Sequence, residues 1–226
     1  MVVLAATTGA TDAMSFLGLG GVFTSVMTAN LVLLGVSAGQ RSGALAVHVG
    51  TAVAGFVVAT LITSRLTAAA AEPQALWPRR VTAALTAEAV LLVAVTVGWE
   101  IAGGRPRGAA QLLLLAGAAG VMGIQGAAIR ALGVPGLSTT YLTGLLTAVL
   151  SDLATARDSA NRGRGVVIMI ALILGAAGSS VLTAQAPRLV PLLPLALLAA
   201  VVAAATAGRS RQAGPGQSAG GRRVRS

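Results

Sequence analysis

The chain has 226 residues, 55% hydrophobic and 10% charged, and its net charge of +10 comes from 16 arginines against six acidic residues. A typical globular domain carries about 25% charged residues, so an ordinary water-soluble surface is excluded. Cysteine is absent and His48 is the single histidine, which excludes disulfides, thiolate chemistry and a histidine-rich metal site.

Apolar runs of about 20 residues, the length that crosses a hydrocarbon core, recur along the chain. They lack the two-residue period of barrel strands, so we predict an all-α, polytopic transmembrane helical bundle. Six segments are long enough to span, and the second and sixth are short and broken by polar residues, which predicts short or re-entrant helices buried in protein. In chain order, the segments are 1–20, 24–38, 43–66, 80–101, 109–131, 138–153, 164–184 and 188–208.

The first segment carries a polar stripe. On a helix, Thr8, Thr11, Asp12 and Ser15 share one face. An ionisable group near the bilayer centre costs about 2.5–3.5 kcal/mol on insertion scales, so Asp12 should face the bundle interior. Two interpretations stay open: the carboxylate accepts hydrogen bonds from hydroxyls or from the backbone of a broken helix, or it forms a substrate or proton site.

The fourth and fifth segments carry further candidates. Trp77 and Trp99 flank the fourth segment, as interfacial belts would. Glu88 lies near its middle and is interpreted either as a second carboxylate of a proton relay or as the partner of an arginine such as Arg130. On the fifth segment, Gln125 is expected to bond across a helix contact, and the small residues Ala119, Gly123 and Ala127 predict close helix packing.

The arginines indicate the orientation. With six spans, the connections on one side hold Arg41, Arg105, Arg107 and Arg188, and the other side holds Arg65, Arg79, Arg80, Arg130, Arg157, Arg162 and Arg164 besides the tail. The positive-inside rule then places both termini in the cytoplasm of a bacterial inner membrane. Residues 209–226 predict a disordered basic cytoplasmic tail. No basic stretch precedes the apolar run at Met1, so we expect no cleaved signal peptide, and we expect a few residues upstream to be missing.

The chain also shows an internal repeat. A shift of 115 residues lays Thr24 on Thr139 and Thr28 on Thr143, and the order of long and short segments is the same in halves 1–101 and 109–208. Duplicated halves are a common plan of secondary transporters, whose sites lie where broken helices meet. The halves are inverted if the short segments do not span, and parallel if they do.

Several motifs resemble the YoaK-like family of bacterial inner-membrane proteins. They are Gly9-x-x-Asp12-Ala13, Phe23, Met27-Thr28-Ala29-Asn30, Gly123-x-Gln125 and Thr143-Gly144. The resemblance covers residues 1–208 and implies about six transmembrane helices, with no established substrate or reaction. Where the family favours Thr-Gly-Asn, this chain has alanine at position 29, which disfavours a left-handed backbone there.

No nucleotide-binding loop, zinc-protease or serine-hydrolase motif is present, so we expect no enzyme, no cofactor and no metal. Our hypothesis is a small-solute transporter or permease, and the alternative is a membrane scaffold or accessory subunit. The expected partners are the lipid bilayer and a small solute, without nucleic acid, and a homo-oligomer is left open. Thr28, Asn30 and Thr143 are expected to satisfy backbone groups where the short helices begin. The candidate substrate-binding residues are Asp12, Ser15, Thr28, Asn30, Glu88, Gln125 and Thr143.

Overall fold

A computed structural model describes residues 1–68, 79–132, 142–154 and 159–212. These residues form eight α-helices and one 3-10 helix, and contain no strand, so the predicted all-α fold is confirmed for them. The helices are α1 (Val2–Gly18), α2 (Met27–Gly39), α3 (Gly43–Ala68), α4 (Arg79–Ile101), α5 (Gly108–Ala131), α6 (Leu142–Ala154), α7 (Ser159–Gln185), the 3-10 helix Pro187–Leu189 and α8 (Leu192–Gln212).

Large apolar side chains cover the outward faces of the long helices. Exposed examples are Val58, Leu61, Val90, Ile173 and Leu174. A soluble monomer rarely exposes so much apolar surface. By length and composition, α3, α4, α5, α7 and α8 are able to cross a membrane. The described residues therefore form a polytopic membrane bundle.

Contacts around Gly18 define one end of the bundle, which we call the Gly18 end. The ring of Trp99, near the end of α4, lies against Gly18, and Trp99 Nε1 donates to the Pro187 carbonyl oxygen at 2.8 Å. Gln111, in the first turn of α5, donates to the Gly18 carbonyl oxygen at 3.2 Å. Its Oε1 lies 3.3 Å from Nε2 of His48, near the start of α3. The ends of α1, α4 and α7 thus meet the starts of α3 and α5 here.

The opposite end, which we call the Met1 end, is defined in the same way. Arg80 Nη1 donates to the Leu66 carbonyl oxygen at 2.9 Å, joining the start of α4 to the end of α3. Ala128, near the end of α5, belongs to a cluster against which Val201 of α8 packs. Met1 packs on a neighbouring cluster that Val201 also contacts. The start of the chain and the C-terminal part of α8 therefore lie at one end.

Six helices run the length of the bundle. α1, α4 and α7 run from the Met1 end to the Gly18 end, and α3, α5 and α8 run back. α2 connects the end of α1 to the start of α3, both at the Gly18 end, so it does not cross; α6 joins α5 to α7 at the Met1 end. Since α1 and α5 run in opposite directions, the two halves are inverted with respect to each other.

The contacts between helices follow the same pattern in both halves if α1, α2, α3 and α4 are taken as equivalent to α5, α6, α7 and α8. α1 packs along α7 as α5 packs along α3, and the pairs α1–α8 and α2–α3 correspond to α5–α4 and α6–α7. Glycines mark the two long crossings: a Cβ at Gly9 would overlap the backbone of Leu172, and one at Gly123 would overlap the backbone of Phe56. The first helix of each half thus packs on the third helix of the other half, as two intertwined units.

α1 is shorter than the sequence predicts. It has 17 residues, or about 25 Å at 1.5 Å per residue, less than the roughly 30 Å of a hydrocarbon core. The helix is followed by Gly20 and Gly21, whose φ values of 104° and 74° are in the region that favours glycine. The chain then turns back into the bundle, and we call residues 19–39 the re-entrant hairpin. The first predicted segment, 1–20, is therefore helical to Gly18, and α1 is one of the shorter apolar helices, not one of the five that are long enough to cross a membrane.

Trp99 and the C-terminal boundary of the helical region differ from the sequence predictions. Trp99 does not lie in an interfacial belt, because its side chain is 1% exposed and packs inside the bundle; Trp77 lies outside the described residues. α8 continues to Gln212, past the predicted boundary at 208, and residues 213–226 of the predicted tail also lie outside them.

Candidate functional site

Asp12 is the centre of the most polar contact in the bundle. Its Oδ1 accepts hydrogen bonds from the Thr24 backbone N–H, the Thr24 hydroxyl and the Ser25 backbone N–H, each at 2.8 Å. Its Oδ2 accepts from the Ser25 hydroxyl. Because Thr24 and Ser25 belong to the re-entrant hairpin, the carboxylate fastens that hairpin to α1. We call this set of bonds between Asp12, Thr24 and Ser25 the Asp12 latch.

Two other predicted residues hold the same hairpin. Asn30 accepts from the Phe23 backbone N–H at 3.0 Å and donates to the Phe23 carbonyl oxygen at 2.6 Å, so it satisfies backbone groups beside the short helix, as predicted. Ser15 donates to the Val22 carbonyl oxygen at 3.0 Å. Ala29 lies within α2 and needs no left-handed backbone. Ser15 of α1 and Asn30 of α2 thus both bond to backbone groups of the loop between these helices.

A cavity of about 570 Å³ reaches Asp12 between α1, α7 and the hairpin. Asp12 and Ser180 supply the polar side chains of its described lining, and the others are apolar or glycine. Leu17 and Ile173, which also line it, are 50% and 61% exposed on the outward face of the bundle. The cavity therefore opens sideways, toward the hydrocarbon. A larger groove along α4, from Arg79 to Ala94, does not reach the latch.

Glu88 lies apart from the latch, in the middle of α4. Its side chain is 0% exposed and neither carboxyl oxygen has a hydrogen-bond partner within the described chain. Arg130, considered as a partner from the sequence, is exposed at the Met1 end and does not pair with it. The interpretation of Glu88 as the partner of Arg130 is therefore wrong.

Gln125 makes the predicted bond across a helix contact. Its Nε2 donates to the Thr8 hydroxyl of α1 at 2.8 Å, and that hydroxyl donates to the Leu4 carbonyl oxygen at 3.0 Å. The Gln125 side-chain oxygen has no partner among the described residues. The row of small residues on the same helix packs as predicted, with Ala119 and Ala127 buried and Gly123 against Phe56.

Thr28 and Thr143 are not brought to the site. Both are exposed, on α2 and α6, and the role predicted for Thr143 concerns residues 133–141, which lie outside the described chain. Sequence reasoning missed Thr24 and Ser25, the donors of the Asp12 latch. Two adjacent hydroxyls directly after a glycine-rich break are the signal that points to them.

Comparison with known proteins shows which family the chain belongs to. Residues 1–205 match the model of a family described as "Protein of unknown function (DUF1275)". The chain belongs to this family. The predicted resemblance is thereby confirmed. Over an alignment of 153 residues, the chain is 35% identical to the UPF0700 transmembrane protein YoaK of Bacillus subtilis (strain 168).

That alignment covers 67% of this chain and 65% of YoaK, so it spans slightly less than two thirds of the relative's length. No solved structure matches the chain. Membership of the DUF1275 family and the apolar helices together identify a multi-pass transmembrane protein.

Proposed function

We propose that this DUF1275 member moves a small, mostly apolar solute across a bacterial inner membrane. The observation that carries the proposal is the cavity that reaches Asp12 in the last two turns of α1. A buried carboxylate beside a broken helix is the usual setting of a transporter site, and the inverted, intertwined halves suit that function. Because the cavity lining is mostly apolar, it favours a mostly apolar solute.

We further propose that both termini lie in the cytoplasm. The Met1 end and the Gly18 end carry different numbers of arginines. The Gly18 end has four, Arg41, Arg105, Arg107 and Arg188, whereas the described part of the Met1 end has five, Arg65, Arg79, Arg80, Arg130 and Arg164. The excess at the Met1 end supports a cytoplasmic position for it.

A second candidate function, a membrane scaffold or accessory subunit, is favoured by one observation. Both oxygens of Asp12 already accept hydrogen bonds from the hairpin. A carboxylate occupied in this way is able to serve as an internal fastening without meeting a solute. The two functions differ in whether the cavity takes a ligand.

A ligand screen with a cavity-filling variant separates them. A solute that binds the folded protein raises its melting temperature by mass action, equivalent to about 2.7 kcal/mol at 100 times Kd. In Ala177→Leu, extra methylenes occupy the cavity, so we expect that shift to disappear while the unliganded protein melts as before. The measurement is thermal unfolding of purified protein against a panel of small solutes.

Ala184→Leu is the matched control, since Ala184 is also exposed on α7 but does not line the cavity. It should keep the full ligand shift. If no solute in the panel stabilises the wild type, or if Ala177→Leu responds like the control, the transport proposal fails and the scaffold function is favoured.

A further inference from the structure

Glu88 and Gln125 share an unusual property. Glu88 is 0% and Gln125 1% exposed, and three of their oxygen atoms, both carboxyl oxygens of Glu88 and Oε1 of Gln125, have no hydrogen-bond partner in the described chain. All three atoms are acceptors. Buried acceptors without donors are rare in native proteins and costly, so the site lacks a hydrogen-bond donor.

The packing of α4 on α5 places these two side chains at one level. The helices are antiparallel, and a Cβ at Gly98 of α4 would meet Leu114 of α5, while a Cβ at Gly117 would meet Val95. Moving toward the Met1 end, Leu85 lies in one cluster with Ala128. The register between these contacts sets Glu88 opposite the turn of α5 that contains Gln125.

Gln125 also lies on the face of α5 that meets α4. Leu114 and Gly117 precede it on that face, and Ala128 follows it at the helical spacing of three residues. Its amide nitrogen donates to Thr8 of α1, and neither carboxyl oxygen of Glu88 accepts a hydrogen bond from it. The carbonyl side of the amide is therefore the part left to meet α4.

We propose that Glu88 binds one proton and donates it to the unpaired oxygen of Gln125. A single proton turns one carboxyl oxygen into a donor and gives Gln125 Oε1 its missing partner. The result is a continuous chain of hydrogen bonds from Glu88 through Gln125 and Thr8 to the Leu4 carbonyl oxygen. This proton-binding site joins α4, α5 and α1, and it stands whether or not the protein transports a solute.

Few other charged or titratable side chains lie near Glu88 along the bundle, so Glu88 is the group that binds the proton. α8 carries no charged side chain over residues 192–207, and Asp12 of α1 is held in its latch. The remaining titratable and charged side chains of α3, α4 and α5 within the described chain lie toward the helix ends; they are His48, Arg65, Arg79, Arg80, Glu100 and Arg130. None of them bonds to Glu88.

The test is infrared spectroscopy of the full chain in lipid nanodiscs across a pH series, with the melting temperature measured in parallel. Wild type should show the carbonyl stretch of a protonated acid at neutral pH, and Glu88→Gln should lack it. Because the bound proton favours the fold, wild-type stability is full at low pH and falls as the pH rises. Once Glu88 loses its proton, the expected loss is about 3–5 °C per pH unit. Glu88→Gln, whose amide donates to Gln125 at every pH, should lose this slope.

Glu100→Gln is the control, since Glu100 is an exposed acid on the same helix; it should keep both the band and the slope. If Glu88→Gln does not fold, Glu88→Asp keeps an acid at this level and should move the band rather than remove it. A wild-type spectrum without the band, a band that survives Glu88→Gln or stays unmoved in Glu88→Asp, or a melting temperature raised by Na⁺ at fixed pH would each overturn the proposal.

Discussion

Asp12 is accommodated inside the bundle because the chain that follows α1 folds back and brings four donors to its carboxylate. Hydrogen bonds to a charged acceptor contribute more than neutral ones, about 1.5–3 kcal/mol each. The latch therefore offsets the cost of placing a carboxylate at membrane depth. In this structure the charge also keeps the hairpin against α1, beside the cavity.

Replacement of Asp12 should show how much the Asp12 latch contributes to the free energy of unfolding. Asp12→Ala leaves the donors of Thr24 and Ser25 without an acceptor, so we expect a loss of at least about 2–3 kcal/mol in the free energy of unfolding. Asp12→Asn keeps an oxygen for three of the donors and should lose less, about 1–2 kcal/mol. Reversible unfolding of the purified protein in mixed micelles provides the comparison.

Thr28→Val is the control for this pair, because Thr28 is exposed on the hairpin and should change stability by no more than about 0.5 kcal/mol. An Asp12→Ala protein as stable as wild type would show that the latch contributes nothing.

The contribution of individual side chains was predictable where it depended on local spacing. The stripe of Thr8, Thr11, Asp12 and Ser15 follows from helical periodicity, and all four are buried. Their partners were not predictable, because Thr24 and Ser25 reach Asp12 through the path of a loop. Trp99 was misplaced for a related reason: its position at a helix end suggests a lipid interface, whereas Gly18 provides a surface that buries the ring.

Helix lengths and order were largely predictable from the apolar runs, but the end of α1 at Gly18, two residues before the predicted boundary at 20, was not. Leu19 continues the apolar run, so hydropathy alone extends the helix past Gly18. Backbone conformation decides instead, since Gly20 and Gly21 take positive φ values. The crossings of α1 on α7 and of α5 on α3 depend on glycines that let backbones touch.

A pair of glycines on α5 tests the crossing on α3. A Cβ at Gly123 would lie 2.6 Å from the Phe56 carbonyl oxygen, whereas one at Gly126 meets nothing within 4 Å. Gly123→Ala should therefore destabilise the protein by about 1–3 kcal/mol, as overpacking does. Gly126→Ala should be neutral or stabilise by up to about 1 kcal/mol, because alanine favours the helix. Thermal unfolding of the two variants side by side gives the answer, and equal melting temperatures would contradict the close crossing.

The bundle has a Gly18 end and a Met1 end, and the proposed orientation assigns one end to each side of the membrane. Because the chain has no cysteine, single cysteines report on each end without background. Glu100 is exposed at the Gly18 end, and Ala68 is exposed at the Met1 end. We expect a membrane-impermeant maleimide to label Glu100→Cys in intact spheroplasts, and Ala68→Cys only after the membrane is opened. The reverse pattern would invert the proposed topology.

The intertwined pairing of α1 with α7 has a consequence for biosynthesis. Gly9 meets its partner backbone at Leu172, about 160 residues later, which ribosomes take on the order of ten seconds to produce at 5–20 residues per second. The re-entrant hairpin is made directly after α1, so the Asp12 latch is able to form early, while the face of α1 that meets α7, with Ala6 and Gly9, stays uncovered. Until α7 emerges, lipid or the insertion machinery has to cover this face of the nascent α1. If a ribosome stalls before α7 is made, the face has no protein partner.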